Sequence, residues 1–316
     1  MKCTVCGLDK VEDHISLYDD RYGYSGKFTI VRCLSCGHKQ IQEVFLPSTL
    51  ARIYTDYYPR ASYNLDQYQP HQEIKGFWAW LNGSYSSAFR WVPKNVRVLD
   101  IGCGFGQSLG YHKARGCDVY GVEADSNVQL VADRFGYNIH IGLFDVSLYE
   151  LEYFDYVTAD QVIEHIIDPI KTLSDVASIL KPHGKVILST PNSNGWGARV
   201  FGKYWINWHT PYHLQHFSKR SLELAANKAG LVLEKAMTMT NSEWLYYQWI
   251  HLFFFPKIDE PSVFWSHKTD HTFIQKVVLK ILRLIHKSKV NHLVSRFFDA
   301  VGLGDNYIFI LSKSKS

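Results

Sequence analysis

A glycine-rich turn directly follows an apolar run and an acid in this sequence. Residues 98–106 read Val-Leu-Asp-Ile-Gly-Cys-Gly-Phe-Gly, so glycine stands at three alternate positions after Asp100. Glycine accepts positive φ and lets a ligand approach the backbone closely, and a following helix directs its first N–H groups at that ligand. The dinucleotide fingerprint would need glycine at Gln107, and an acid here would repel a pyrophosphate. The turn therefore favours a cationic ligand.

Two identical Cys-x-x-Cys-Gly knuckles stand near the amino terminus. Four thiolates complete the tetrahedron of a closed structural Zn²⁺ site. The chain starts without the apolar run of a signal peptide, which favours reduced thiols or metal ligation over disulfides. Four free thiols remain the alternative, and the spacing predicts a module like a zinc ribbon with a β-hairpin over residues 18–31. The predicted ligands are Cys3, Cys6, Cys33 and Cys36.

Three histidines lie among tryptophans and tyrosines over residues 205–218. Imidazole serves as a general base near neutral pH and also as a metal ligand. No acid stands nearby in the sequence to complete a metal set, so we expect a base. His213 is the first candidate and His216 the second.

Apolar runs of strand length alternate with helical segments, and several of these runs end in acids. Glu123 ends the run after the glycine turn, 19 residues beyond Gly104, where a carboxylate can accept two hydrogen bonds from a ribose diol. Asp160 and Gln161 end a later run. In an open α/β sheet, active sites lie at these carboxyl ends.

Four segments resemble class I S-adenosylmethionine-dependent methyltransferases, in the family's order and spacing. They are the turn at residues 98–106, Val119–Glu123, Phe154–His165 and Leu180–Asn192. The resemblance implies a doubly wound, Rossmann-like sheet of seven mostly parallel strands with a reversed last strand. It also implies S-adenosylmethionine as donor and S-adenosylhomocysteine as product.

The resemblance assigns donor contacts to the carboxyl ends of the strands. Asp145 stands where relatives contact the adenine, although many place an acid directly after the glycine that matches Gly142, and here Leu143 follows it. The Glu164-His165 pair resembles a frequent pair of the family and is expected at the start of the next helix. The predicted cofactor-binding residues are Asp100, Gly102, Cys103, Gly104, Glu123, Ala124, Asp145, Asp160 and Gln161.

The motifs also divide the chain. We expect an aromatic helix within residues 76–91 to be part of the core. Tyr54, Tyr57 and Tyr58 are candidates for the donor's carboxylate, with packing as the preferred role. The predicted parts are a zinc-ribbon-like module (1–45), a helical cap or linker (46–92), the donor-binding core (93–240), a helical lid (241–304) and the final strand (305–316).

The inserted residues after 240 have two interpretations. Residues 244–255 are mostly aromatic but too short to span a bilayer, and residues 273–285 form a basic amphipathic pattern. Peripheral membrane contact through 244–287 is one interpretation, and a lid packed on the domain is the one we prefer.

The whole chain has a formal net charge of +4, which does not demand nucleic acid as a partner. We predict a cytoplasmic methyltransferase acting on a small-molecule, saccharide or lipid-linked acceptor at oxygen or carbon. A nucleic-acid methyltransferase guided by the zinc module, and a donor-binding scaffold without turnover, remain open alternatives. The acceptor's identity and the oligomeric state are not predicted.

Overall fold

The chain begins with a small antiparallel sheet. The computed structural model describes residues 1–58, 65–265 and 271–314. Strands β1 (Val11–Leu17), β2 (Phe28–Cys33) and β3 (Lys39–Ile41) pair in sequence order. The cysteine knuckles lie before β1 and at the β2–β3 turn.

The hairpin predicted over residues 18–31 is displaced. Its first strand lies earlier in the chain, in β1, and residues 18–27 form the connection. Asp19 explains the difference, because its carboxylate accepts 2.9 Å hydrogen bonds from the backbone N–H groups of Arg21, Tyr22 and Tyr24. Such side-chain bonds close a turn and compete with strand pairing.

Two helices connect this sheet to the core, α1 (Pro47–Asp56) and α2 (Phe77–Asn82). The expectation that the aromatic helix is part of the core is wrong for most of α2. Trp78 is 65% exposed, and Phe77 and Trp80 are exposed as well. Only Leu81 of this helix is buried.

The remaining elements are the strands of a larger sheet, the helices that cover it, and a short strand, β9, that joins the small sheet. The strands are β4 (Arg97–Ile101), β5 (Asp118–Glu123), β6 (Asn138–Ile141), β7 (Phe154–Asp160), β8 (Leu180–Pro191), β9 (Gln215–His216), β10 (Leu231–Thr238) and β11 (Asn306–Lys313). The helices are α3 (Gln107–Lys113), α4 (Gln129–Phe135), α5 (Pro169–Ile179), α6 (Trp196–Phe201), α7 (Lys219–Lys228), α8 (Glu243–Phe253), α9 (Phe273–Lys287) and α10 (Val290–Ala300).

The larger sheet has seven strands in the order β10-β11-β8-β7-β4-β5-β6. Strand β11 runs antiparallel to both of its neighbours, and the other pairs are parallel. The predicted seven-stranded, mostly parallel sheet with a reversed last strand is therefore confirmed.

Both faces of this sheet are covered, as successive residues of β8 show. Val186 and Leu188 belong to one buried cluster, and Ile187 between them belongs to another. Neighbouring side chains of a strand point to opposite faces, so each face carries its own apolar layer. This burial on two sides explains why the strands read as nearly continuous apolar runs.

Strand β9 joins the histidine-bearing segment to the small sheet. Lys39 pairs with His216 and Gln40 with Gln215, which extends β1-β2-β3 by one strand. The cysteine module and the segment with the candidate bases are thus parts of one sheet.

Helices α8 to α10 lie between β10 and β11. Gln248 of α8 donates to the Tyr204 carbonyl (2.8 Å) and accepts from the Ile206 N–H (2.8 Å), so α8 packs on the segment before the histidines. Helix α9 differs, because Leu282 is its only buried residue. Leu282 packs with Ile250 of α8 and with Phe254 just after it, and the half-buried Val278 and Leu279 border this cluster, so one side of α9 lies against α8 while its other apolar residues are exposed. The lid interpretation stays a prediction. No helix in the described part of the chain is long and apolar enough to cross a membrane.

Candidate active site

The glycine turn leaves β4 at the carboxyl edge of the large sheet. Gly102, Gly104 and Gly106 have φ of 72°, 53° and 71°, which residues with side chains rarely adopt. A Cβ atom at Gly102 would lie 2.5 Å from Val162, whereas one at Gly104 would meet nothing within 4 Å. The backbone at Gly104 therefore faces open space, where a ligand can approach it.

Glu123 ends β5 beside this turn. Its Oε2 accepts a 2.9 Å hydrogen bond from the Gly104 N–H, and its Oε1 accepts one of 2.9 Å from the Asp125 N–H. Two backbone bonds fix the carboxylate, and each oxygen keeps lone-pair capacity for another donor. The geometry suits a pair of neighbouring hydroxyl groups.

Asp100 lies under the turn, 3% exposed. Its carboxylate accepts from the Ser108 hydroxyl and, at 2.6 Å, from the Thr158 hydroxyl. Burial raises the pKa of Asp100 to about 6, and repulsion from Asp160 and Glu123 adds to the increase. Asp100 thus ties β4 to α3 and β7 and supports the turn from below.

Three acids lie at or next to the carboxyl ends of the adjacent strands β4, β5 and β7, namely Asp100, Glu123 and Asp160. Burial raises the pKa of Asp160, whose carboxylate accepts from the Ala88 N–H (3.2 Å) and from the Ser189 hydroxyl. An edge with this concentration of carboxylates favours a cationic ligand, as the sequence predicted.

The structure places the other predicted cofactor residues around this edge in different ways. Cys103 is buried, and its sulfur faces Gly121, so only its backbone borders the turn. Ala124 is exposed next to Glu123. Asp145 is exposed, and its carboxylate accepts from the Ser147 N–H (2.9 Å). Gln161 donates to Ser189 (2.9 Å) and Asn306 (2.8 Å), which fixes the end of β7.

The four predicted metal-ligating cysteines lie together. The sulfur atoms of Cys3 and Cys36 are 3.6 Å apart, those of Cys6 and Cys33 are 3.5 Å apart, and all four lie within 4.8 Å of one another. A tetrahedron with metal–sulfur bonds of about 2.3 Å needs sulfur atoms about 3.8 Å apart, whereas a disulfide needs about 2.05 Å. The arrangement fits a tetrahedral thiolate site.

His213 lies at the same carboxyl edge, against the turn that follows β7. Its ring is 4.7 Å from that of His165, and side-chain ligand atoms of Glu164, His165 and His213 lie within 4.8 Å of one another. The Nδ1 atom of His213 is 2.9 Å from the Asn207 carbonyl oxygen. A carbonyl oxygen only accepts, so Nδ1 carries the proton and Nε2 keeps its lone pair.

His165 is held in the same tautomer. Its Nδ1 lies 2.9 Å from the Tyr212 carbonyl oxygen and 2.8 Å from the Tyr54 hydroxyl. The pair Glu164-His165 was expected to begin a helix, but it lies in a 3₁₀ turn (Ile163–His165), and α5 begins only at Pro169. Tyr54 packs within this cluster, in agreement with its preferred role.

His216, the second candidate base, lies apart from this cluster. It is buried in β9, its ring packs 5.0 Å from that of Trp208, and its ring centre is 6.3 Å from that of His213. Burial lowers the pKa of both histidines well below the ordinary range, so both rings are neutral near pH 7.

Glu164 is the residue that the sequence argument missed. No acid stands near the histidines in the sequence, but Glu164 reaches them from 49 residues away. Its Oε2 accepts from the Thr190 hydroxyl (3.0 Å), and its buried Oε1 has no hydrogen-bond partner among the described residues. Burial raises the pKa of Glu164 to about 8. The Glu164-His165 motif was the available signal, but its partner His213 is distant in sequence.

The chain is similar to known methyltransferases. A family model described as a methyltransferase domain matches residues 67–236. A ubiquinone biosynthesis O-methyltransferase of Xanthomonas axonopodis pv. citri is 33% identical over 175 residues, which are 51% of this chain and 72% of that protein. One from Cereibacter sphaeroides is 32% identical over 168 residues, 48% of this chain and 67% of that protein. A solved structure of a SAM dependent methyltransferase from Archaeoglobus fulgidus is 18% identical, covering 72% of this chain and 88% of that chain, with a TM-score of 0.43.

The glycine turn, the acidic strand ends and the family match define the class of protein. The chain belongs to the methyltransferase domain family, which confirms the family predicted from its motifs.

Proposed function

We propose that the protein transfers a methyl group from S-adenosylmethionine to oxygen or carbon of a small-molecule, saccharide or lipid-linked acceptor. The observation that carries this proposal is Glu123, fixed by the Gly104 N–H beside open space. The names of the curated relatives, ubiquinone biosynthesis O-methyltransferases, support a small-molecule acceptor and oxygen as the nucleophile.

The donor lies along the carboxyl edge of the sheet in this proposal. Glu123 accepts from the ribose hydroxyls, and the backbone of Gly102, Cys103, Gly104 and Ala124 borders the donor. Asp145 lies on the adenine side, and Asp160 and Gln161 on the methionine side. Asp100 acts from below by holding the turn. The bound donor supplies an electrophilic methyl carbon, so the protein chiefly aligns it with the acceptor and excludes water.

His213 accepts the acceptor's proton. Its Nδ1–H is held by the Asn207 carbonyl, its Nε2 keeps a lone pair, and burial keeps the ring neutral. A base in this state is ready to take a proton as the nucleophile attacks. His216 stays the second candidate.

The position of Glu164 supports a second role for the cluster of Glu164, His165 and His213, as a site for a divalent cation. Two histidine Nε2 atoms and a carboxylate form the donor set of many divalent-cation sites, and Oε1 of Glu164 lacks another partner among the described residues. A cation held by Glu164, His165 and His213 would lower the pKa of an acceptor hydroxyl directly. The test is a chelator that leaves the cysteine-bound metal in place. Loss of activity with this chelator, followed by recovery with added cation, would favour a cation site over a histidine base.

The cysteine cluster holds structural Zn²⁺, the second cofactor of the proposal.

The proposal also keeps a cytoplasmic location and peripheral membrane contact through 244–287, which the exposed apolar residues of α9 support. It keeps the division into the zinc module (1–45), cap (46–92), core (93–240), inserted helices (241–304) and final strand (305–316).

The experiment incubates the purified protein with methyl-labelled donor and with separate cell fractions of polar small molecules, lipids, protein and nucleic acid. We expect label in the polar or lipid fraction. Label confined to nucleic acid would overturn the proposed acceptor class. Donor binding without transfer to any fraction would favour the scaffold alternative.

A further inference from the structure

A cavity of about 380 Å³ lies between the amino-terminal module and the large-sheet core. Its walls come from β2, β3, the segment after β8, and the start of α7. The residues that matter for its chemistry are Arg32, Lys39, Asn194, Arg199, Ser218 and Arg220. Cavities between two structural units are frequent ligand sites.

Four cationic side chains line this cavity, together with Cys36, a ligand of the proposed zinc site, and Arg32 stands opposite Glu12 across β1 and β2. In the described parts of the chain, no carboxylate forms an ion pair with Arg32, Lys39, Arg199 or Arg220. One carboxylate, Glu223, lines the adjoining hollow that Arg199 and Arg220 share. Four positive charges around one small volume repel one another, and a bound anion would relieve this repulsion.

Lys39 is the buried cation of this group, because the residue is only 7% exposed. Its Nζ donates to the Ser193 carbonyl (2.7 Å) and to Asn194 Oδ1 (2.9 Å), and both of these acceptors are neutral. An ammonium group has three N–H donors, so one more remains for a ligand. Burial lowers the pKa of Lys39 to about 8, and repulsion from Arg32 and Arg199 contributes to the decrease. Buried charges normally have a partner of opposite sign.

The cavity lies next to the strand that carries His216, the second candidate base. Lys39 pairs with His216 across β3 and β9, and Ser193, which receives the Lys39 hydrogen bond, follows the carboxyl end of β8. The positive end of the α7 dipole also begins here, at Lys219. An anionic group in this cavity would therefore lie close to the strand that carries His216.

We propose that this cavity binds a phosphate group of the acceptor, so that the methyltransferase acts on a phosphorylated small molecule. This inference rests on the proposed function. Arginine forks and an ammonium group match the oxygens of a phosphate. The phosphate belongs either to a water-soluble ester or to a lipid-linked acceptor, since both present the same oxygens.

The first test is calorimetric titration of the zinc-loaded full chain with inorganic phosphate and with pyrophosphate. We expect binding that weakens at least about 10-fold in Arg199→Gln and in Arg220→Gln, since each variant removes charge-assisted hydrogen bonds. Both arginines are exposed, so these changes leave the core intact. Arg134→Gln, on the exposed surface of α4, is the matched control and should bind as the parent does.

The second test separates this inference from the proposed function. Donor affinity of Arg199→Gln should equal that of the parent, and added phosphate should inhibit methyl transfer by competing with the acceptor. If the labelled product is water-soluble and phosphatase makes it less anionic, the acceptor is a phosphate ester. If the label is in a lipid-phosphate pool, the acceptor is lipid-linked. Undiminished phosphate binding in both arginine variants, or label only in acceptors without phosphate, would overturn the inference. Absence of donor binding would instead overturn the proposed function.

Discussion

His213 occupies a position where its chemistry can be tested separately from donor binding. We expect His213→Gln to lower kcat about 10²-fold or more, because the amide cannot take the acceptor's proton. Donor affinity, measured by calorimetry, should stay near that of the parent. His183→Gln, an exposed histidine in β8, is the control. Full activity of His213→Gln on the acceptor pool identified by label transfer would remove His213 as the base.

Asp100 gives a pH-dependent prediction. Its pKa of about 6 in the folded chain is above the ordinary value of 3.8. The folded state therefore keeps a proton that the unfolded state loses first, and the stability that this proton provides is lost as pH rises from about 4 to about 6. Asp100→Asn does not titrate, so the free energy of unfolding of the parent, relative to that variant, should fall by about 2 kcal/mol between pH 4 and pH 7. Urea unfolding of both proteins at pH 4 and pH 7 measures the difference, and a constant difference would contradict the assigned environment.

Among the elements, the amino-terminal cysteine module and the histidine segment are joined through Gln215 of β9. Its Oε1 accepts from the Thr4 hydroxyl (2.8 Å), next to the first knuckle, and its amide nitrogen donates to the Ile166 (3.2 Å) and Ile167 (3.3 Å) carbonyls. The side chain thus joins the first cysteine turn, which contains Thr4, to the turn that carries Glu164. The cysteine cluster stabilises this arrangement by holding both knuckles.

Loss of the metal should therefore affect transfer more than donor binding. We expect Cys33→Ser to contain less than one zinc per chain by elemental analysis and to lose most of its kcat. Donor affinity should change little, because the donor edge lies on the separate large sheet. Cys117→Ala, a cysteine outside the cluster, is the control. A metal-free variant with the parent's kcat would contradict the coupling.

The elements show what a sequence can and cannot predict. The strand ends at Asp100, Glu123 and Asp160 were predictable because buried parallel strands read as apolar runs ended by acids. The pairing of β3 with β9 joins residues more than 170 positions apart, and no local pattern specifies it. The contact between Glu164 and His213 is non-local for the same reason. In α2, local composition identified the helix but not the face that solvent reaches.

At the scale of the whole molecule, α9 and α10 present apolar side chains to solvent. Phe273 is 81% exposed, and Ile274, Ile281 and Phe297 are exposed along the same helices. The sequence of α9 contains four Lys or Arg residues and no acid. An exposed apolar stripe with basic flanks is typical of helices that lie on anionic lipid.

We therefore expect the protein to sediment with vesicles that contain phosphatidylglycerol and to bind phosphatidylcholine vesicles weakly. Phe273→Ser combined with Phe297→Ser should remove most of this binding, and rising salt should weaken it. Val232→Ser, on an exposed position of β10, is the control. Equal binding to both kinds of vesicle would contradict the membrane contact. So would a double variant that still binds lipid but no longer forms a dimer seen in the parent.

The central claim is that the edge around Gly104 and Glu123 binds the methyl donor. Calorimetric titration of S-adenosylmethionine into the parent, Glu123→Gln and the surface control Asp133→Asn tests it directly. We predict binding to the parent and to the control, and affinity at least about 10-fold weaker in Glu123→Gln, since the amide replaces a charged acceptor for the ribose hydroxyls. Equal affinity in Glu123→Gln, or no binding to the parent, would contradict the claim.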